Sequence, residues 1–197
     1  RKGSEEEFDE EASLNKWDME GMRPIGRYSE GKTLPEVFFN VCERMDGFQA
    51  CVDLMSGDVT FSKLEVGVLL LAEAIRQIPG DKIGILMPAS VVVNALIIAT
   101  MLAGKTPVMI NWTLGARNLS HVVEQTGIKT TISSWSFLDR LDNVELGPLD
   151  DQIVLLEELR RGFTYKDKIR ATLRAKKGTD KILKIFGVEN VDPDKPA

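Results

Sequence analysis

Apolar and polar positions run along the chain in blocks whose period changes from helical to strand-like and back. Val37, Phe38, Val41 and Cys42 recur at helical spacing behind Thr33, a good N-cap residue, with Pro35 in the first turn, which predicts a helix over 34–45 with those four on its buried side. Residues 48–53 (Phe-Gln-Ala-Cys-Val-Asp) alternate as a strand does, and Met55-Ser56-Gly57-Asp58 reads as a tight turn back into Val59-Thr60-Phe61. A small hairpin is therefore expected. Ser62 and Glu65 have capping-box spacing, with Thr60 a rival cap, and the helix they open continues through Leu69, Leu70, Ala72 and Ile75 to Gln77, where Pro79-Gly80-Asp81 stops it.

From Lys82 the pattern repeats. Apolar strand candidates begin near Lys82 (KIGILM), Thr106 (TPVMI), Lys129 (KTTIS) and Gln152 (QIVLLE), spaced evenly along the chain. The first two intervening segments, Ser90 to Ala103 and Ala116 to Thr126, read as helices that stop at Gly104 and Gly127, residues suited to left-handed caps. The third, from Ser134 to Leu141, is shorter and trails into a loop around Gly147-Pro148. Strand, helix, strand at this spacing implies right-handed crossovers, so the expected fold class is α/β: a mostly parallel sheet with helices on both faces, plus the early hairpin. Val91 to Ala103 is apolar nearly all round, as suits a helix held between the sheet and another layer.

In such a sheet ligands bind beyond the carboxyl ends of the strands. Four loops are expected on one rim: Pro88-Ala89-Ser90, Asn111-Trp112-Thr113, Ser133-Ser134-Trp135 and Glu157-Glu158. Asn111, Trp112, Thr113 and Gly115 are the candidate substrate-rim residues, because an indole beside an amide can wall a pocket for a planar or apolar ligand; packing alone explains the same residues equally well.

Composition narrows the function classes. The 197 residues are 43% hydrophobic and 28% charged, ordinary for a globular chain, and the net charge of -5 argues against a general nucleic-acid binder. Cys42 and Cys51 belong to no CxxC or histidine cluster, so neither a metal set nor a disulfide is expected. The longest apolar run, Val91 to Ala103, is too short to span a bilayer. The lone His121 sits in a predicted helix without a nucleophile elbow, and Asp150-Asp151 and Glu157-Glu158 are adjacent pairs that point different ways, so acid/base catalysis is not expected of any of them. The glycines are read as sitting singly at turns and helix ends, so that neither GxxxxGK[ST] nor GxGxxG is expected and no stretch is expected to cradle phosphate.

Three regions are expected: an acidic mobile arm over 1–30, with Glu5-Glu6-Glu7 and Asp9-Glu10-Glu11; an α/β unit over 31–191; and a polar linker over 192–197. Starting at Arg1 and ending in a proline-containing linker, the chain reads as a piece of a longer polypeptide. Within the α/β unit, residues 160–184 hold ten lysines and arginines against Asp167 and Asp180. Tyr165, Ile169 and Leu173 recur there at helical spacing, which predicts an amphipathic helix with a cationic face, either merely solvated or facing anionic lipid or an acidic protein.

Read in order, Asp81-Lys82-Ile83-Gly84-Ile85-Leu86-Met87-Pro88 and then Leu102-Ala103-Gly104-Lys105-Thr106-Pro107-Val108-Met109-Ile110-Asn111-Trp112-Thr113 resemble the N-terminal domain of the AMP-forming acyl-activating ligases. Within that family, Pro107 to Gly115, Gly127-Ile128-Lys129-Thr130 and Phe137-Leu138-Asp139 are most similar to the long-chain enzymes that charge acyl carrier protein. One departure is Ala89, where the family commonly has asparagine after the strand-ending proline. The resemblance implies, for the intact protein, ATP and Mg²⁺ as cofactors, a fatty acid as substrate, an acyl-adenylate intermediate, and acyl carrier protein, coenzyme A or a lysophospholipid as acceptor. It also implies that the phosphate loop and catalytic lysine lie outside residues 1–197, so that no catalytic residue is expected here. A cytoplasmic protein is expected, and peripheral contact with the inner membrane, if any, is expected through the basic segment 160–184 on the strength of its charge. A coenzyme A ligase, or a non-catalytic scaffold that binds a membrane or a partner, remain alternatives.

Overall fold

The computed structural model describes residues 30–54, 56–141 and 144–194; the acidic arm, apart from Glu30, and the end of the linker fall outside these. The chain runs α1 (Leu34–Arg44), β1 (Gln49–Asp53), β2 (Gly57–Thr60), α2 (Phe61–Gln77), β3 (Lys82–Ile85), α3 (Val91–Leu102), β4 (Thr106–Met109), a 3₁₀ turn (Trp112–Leu114) and α4 (Ala116–Thr126). It continues through β5 (Thr131–Ser133), α5 (Trp135–Leu138), a 3₁₀ segment (Gly147–Gln152), β6 (Ile153–Leu155), α6 (Leu156–Arg161), α7 (Tyr165–Ala175) and α8 (Thr179–Phe186). β1 and β2 form the expected antiparallel hairpin, and the other four strands form one sheet in the order β4-β3-β5-β6 with every pairing parallel.

That order follows from handedness. The chain steps from β3 outward to β4, then back past β3 to β5, so right-handed crossovers put the first connecting helix and the later ones on opposite faces. The packing agrees. Ile83, Ile85 and Ile132 join α1, α2, α3, α7 and α8 in one apolar cluster, whereas Leu86 and Ile110 join Leu119 of α4, Phe137 of α5 and Leu149 in a second. α3 is buried on most of its surface because it lies between the sheet and α2, as its nearly all-apolar sequence requires.

Several local expectations need correction. On α1 the buried residues are Pro35, Phe38, Phe39 and Cys42, while Val37 and Val41 are only half-buried; the rings of Phe38 and Phe39 meet edge-on at 5.1 Å, and a phenyl ring removes more apolar area from water than a valine. α2 is capped by Thr60, whose hydroxyl accepts from the Lys63 amide, not by Ser62, because β2 runs straight into the helix and its last residue takes the cap; Glu65 turns into the core instead of completing a capping box. β5 and β6 begin at Thr131 and Ile153, slightly later than expected. Residues 160–184 are not one helix: Gly162 and Gly178, the latter at φ 84°, separate the end of α6 from α7 and α8.

Candidate substrate rim at the carboxyl ends of the strands

Because the strands are parallel, all four carboxyl ends face one way, and the direction of strand addition reverses at β3, between β4 and β5. This is the switch point at which open α/β sheets leave a crevice. Its two walls are tied together: the buried Ser133 hydroxyl donates to the Leu86 carbonyl at 2.7 Å. One layer below, the strands approach so closely at Gly84 that a β-carbon there would lie 2.5 Å from Thr131 Oγ1 and 2.8 Å from Ile110 Cδ1.

Beyond β4, the Asn111 side-chain oxygen accepts from the Thr113 amide at 3.0 Å and the Thr113 hydroxyl at 2.8 Å, closing a compact turn. The exposed Asn111 amide nitrogen makes no hydrogen bond among the described residues and so offers a donor to solvent. Trp112 is half-buried, its ring edge-on to Phe137 at 4.8 Å and 72°. Gly115 takes φ 76°, ψ 159°, a conformation costly for other residues, and turns the chain into α4. Around this loop Met109 and Leu114 are exposed, and nothing stands within 4 Å of a β-carbon built on Gly115. The sequence-derived candidates Asn111, Trp112, Thr113 and Gly115 thus occupy one loop at the predicted end of the sheet.

The other rim loops are held by contacts of two kinds. Ser90 and Ser134 cap α3 and α5. Asp53, at the end of β1, accepts from the Val91 amide at 2.9 Å and from the Ser56 amide, which moors the hairpin to the rim. Sequence reasoning missed Asp53, whose only signal was an acidic residue at a strand end. The carboxylate of Glu157 accepts from the Trp135 amide at 3.1 Å, joining the loops after β5 and β6 and leaving the Trp135 indole exposed. Glu157 therefore has a structural task, and Glu158 lines a separate groove. Two such grooves, of about 530 and 560 Å³, open over α2; the second reaches Val91 and Leu156 near the rim and is apolar except for Ser56, Lys63, Arg160 and Lys168. Periodicity gave no sign of either.

His121 is exposed on α4. Burial, reinforced by the nearby Glu65 and Asp46, pushes the Cys42 thiol up to about 12, and burial next to Asp53 raises that of Cys51, so both thiols stay protonated.

Residues 26–33 do spell GxxxxGK[ST], as Gly26 through Gly31-Lys32-Thr33, a spacing that the single-glycine reading passed over. Its context is wrong for a phosphate loop. The Thr33 hydroxyl accepts from the Glu36 amide as the cap of α1, and the Glu36 carboxylate accepts from the Lys32 amide at 2.8 Å, so an anion already occupies that helix start. Residues 26–29 lie outside the described ones. Among the described residues no three His, Cys, Asp or Glu side chains group as a metal set.

A parallel sheet whose strand order reverses at β3, a hairpin moored to its rim and a polar-aromatic loop after β4 make up an α/β domain. Residues 38–197 match the AMP-binding enzyme family, and the chain belongs to it. Among solved structures it is similar to a benzoate CoA ligase from Burkholderia xenovorans (21% identity, TM-score 0.53, 65% of this chain and 28% of that one). It is also similar to Klebsiella oxytoca NpsA in complex with 3-hydroxyanthranilyl-AMSN (22% identity, TM-score 0.55, 71% and 28%). A third similar structure is an artificial fusion, NpsA-ThdA, described as an adenylation-PCP di-domain from Klebsiella oxytoca (22%, 0.53, 66% and 25%). The likeness establishes the fold, that of the N-terminal domain of these ligases, over about a quarter of their length.

Proposed function

We propose that these residues are the N-terminal part of an ATP-dependent long-chain fatty acid:acyl-carrier-protein ligase acting in phospholipid metabolism, similar to the bacterial 2-acylglycerophosphoethanolamine acyltransferase/acyl-[acyl-carrier-protein] synthetase. The observation that carries this reading is the Asn111–Gly115 loop after β4: its residues are those that resemble the long-chain enzymes, and it stands at the carboxyl end of a sheet next to the switch point. The intact protein, in the cytoplasm, would form acyl-adenylate from a fatty acid and pass the acyl group to carrier protein and onward to a lysophospholipid. The region described here would form one wall of the substrate cleft. Its Asn111 amide and Trp112 ring are suited to a polar head and an apolar stem respectively.

The test is acid-dependent ATP-pyrophosphate exchange by the full-length protein over a panel of carboxylic acids, followed by thioester assays with carrier protein and with coenzyme A. Exchange driven by long-chain acids and transfer to carrier protein support the reading; exchange driven only by benzoate-type acids contradicts it. Residues 1–197 alone are expected neither to bind ATP tightly nor to make acyl-adenylate, and micromolar ATP binding by calorimetry contradicts that. Transfer to coenzyme A instead of carrier protein is the second reading, favoured by the similarity to a benzoate CoA ligase.

A further inference from the structure

The amphipathic segment around residue 165 is built the reverse way from an ordinary surface helix. α7 buries Ala171 and half-buries Arg174 and Ala175 against α2, where Arg174 pairs with Glu73 and stands over the Phe186 ring. Its large apolar residues Tyr165, Ile169 and Leu173, at i, i+4 and i+8, are 79%, 45% and 58% exposed. At 100° per residue they form a stripe about 80° wide opposite Ala171, so the ridge points straight out.

Cations stand on both sides of this ridge. Lys166 and Arg170 lie on one flank and Lys168 on the other, with Lys176 and Lys177 at the carboxyl end, all exposed. The two grooves over α2 run along either side of the helix, one lined by Arg170 and Arg174, the other by Lys168. The acids nearby are committed elsewhere or set back: Asp167 is held by the Thr164 amide and hydroxyl in a capping box, which keeps its carboxyl below its ordinary range, and also meets Arg170 at 3.3 Å, while Glu158 lies within the groove. An otherwise acidic chain of net charge -5 thus concentrates its cations beside its most exposed apolar helix.

We propose that α7 is a membrane-docking helix that lays Tyr165, Ile169 and Leu173 into the headgroup region of an anionic bilayer while Lys166, Lys168, Arg170, Lys176 and Lys177 meet lipid phosphates. The ridge is convex and narrow, so a protein partner would need a matching groove, whereas a bilayer yields to it. Long lysine and arginine stems on both flanks reach up to phosphates while their methylenes stay beside the ridge. Each such cation adds to the attraction at an anionic surface, and the apolar ridge supplies the part of the binding that salt does not screen. The inference is independent of the reaction proposed above. Among the described residues no helix is long and apolar enough to cross a membrane, so docking would be peripheral.

The test is co-sedimentation of the 197-residue chain with vesicles of phosphatidylcholine alone and of phosphatidylcholine with phosphatidylglycerol. At low salt the anionic vesicles should bind it about tenfold or more better than neutral ones. Ile169→Gln/Leu173→Gln should cost about tenfold on anionic vesicles, and Lys166→Glu/Lys168→Glu at least as much. All four positions are exposed, so circular dichroism should match the wild type; Tyr165→Ser serves as a second ridge variant if it does not. Equal binding to both vesicle types, binding to neither, or wild-type affinity of the ridge variants overturns the proposal. So does capture of polyglutamate without capture of vesicles, which would mark the helix as a site for an acidic protein.

Discussion

Ser133 Oγ donates to the carbonyl of Leu86 at 2.7 Å, a buried bond between the ends of β5 and β3 across the point where the sheet reverses its order. Neither residue is exposed, so a lost donor there is not replaced by bulk water. Ser133→Ala is expected to destabilise the domain by about 1 to 3 kcal/mol in urea unfolding, with the denaturant slope unchanged. A cost near zero would mean that the two strand ends are held by something else.

The close approach at Gly84 makes a second prediction. With a β-carbon 2.5 Å from Thr131 Oγ1 and 2.8 Å from Ile110 Cδ1, Gly84→Ala must push β5 and the end of β4 apart, at about 1 to 3 kcal/mol. Thr131→Ala removes one of the two clashing atoms, a hydroxyl that is itself buried without a hydrogen-bond partner. The double variant should therefore recover part of the loss, and a double-mutant cycle in thermal unfolding measures it. Strict additivity would show that the strands are not packed as described.

Glu65 makes stability depend on pH. Burial, then Asp46 and Glu43, push its carboxyl up to about 7, and its Oε1 is buried without a hydrogen-bond partner. A carboxyl raised in the folded state favours the protonated form there, so its stabilising contribution is full below the unfolded value of 4.5 and is lost as pH rises through about 7. The loss is on the order of 3 kcal/mol. Glu65→Gln should flatten the urea-unfolding midpoint between pH 5 and pH 8 and make the variant the more stable protein at the upper end. A wild type that gains stability over this window would contradict the assignment.

Trp112 separates a packing role from a ligand role. Its edge contact with Phe137 predicts that Trp112→Ala costs about 1 to 2 kcal/mol of stability while Trp112→Phe costs little. If the ring also walls the substrate cleft, Trp112→Phe in the full-length enzyme raises KM for the fatty acid with kcat nearly unchanged. An unaltered KM leaves the ring a packing residue only.

The parallel sheet was legible because its signal is redundant: evenly spaced apolar runs, helices between them and glycine stops at Gly104 and Gly127 all say the same thing. Chain order also places Asn111 to Gly115 at a strand end. What stayed hidden depends on tertiary neighbours. The spacing of Tyr165, Ile169 and Leu173 announces an amphipathic helix but not which face α2 covers, and that face proved to be the one carrying Ala171. Asp53 gave no warning that it would hold the Val91 amide, because that bond joins segments far apart in sequence. The reversed choice between Ser62 and Thr60 as cap turned on how directly β2 enters α2, a matter of a single residue.

The most direct test of the account is photo-crosslinking of the full-length protein with a diazirine-bearing long-chain fatty acid, followed by peptide mapping. The rim assignment predicts label within residues 1–197 on the segment Asn111 to Gly115. Label confined to other parts of these residues, such as the helix Tyr165–Ala175, with none at that loop, would contradict it.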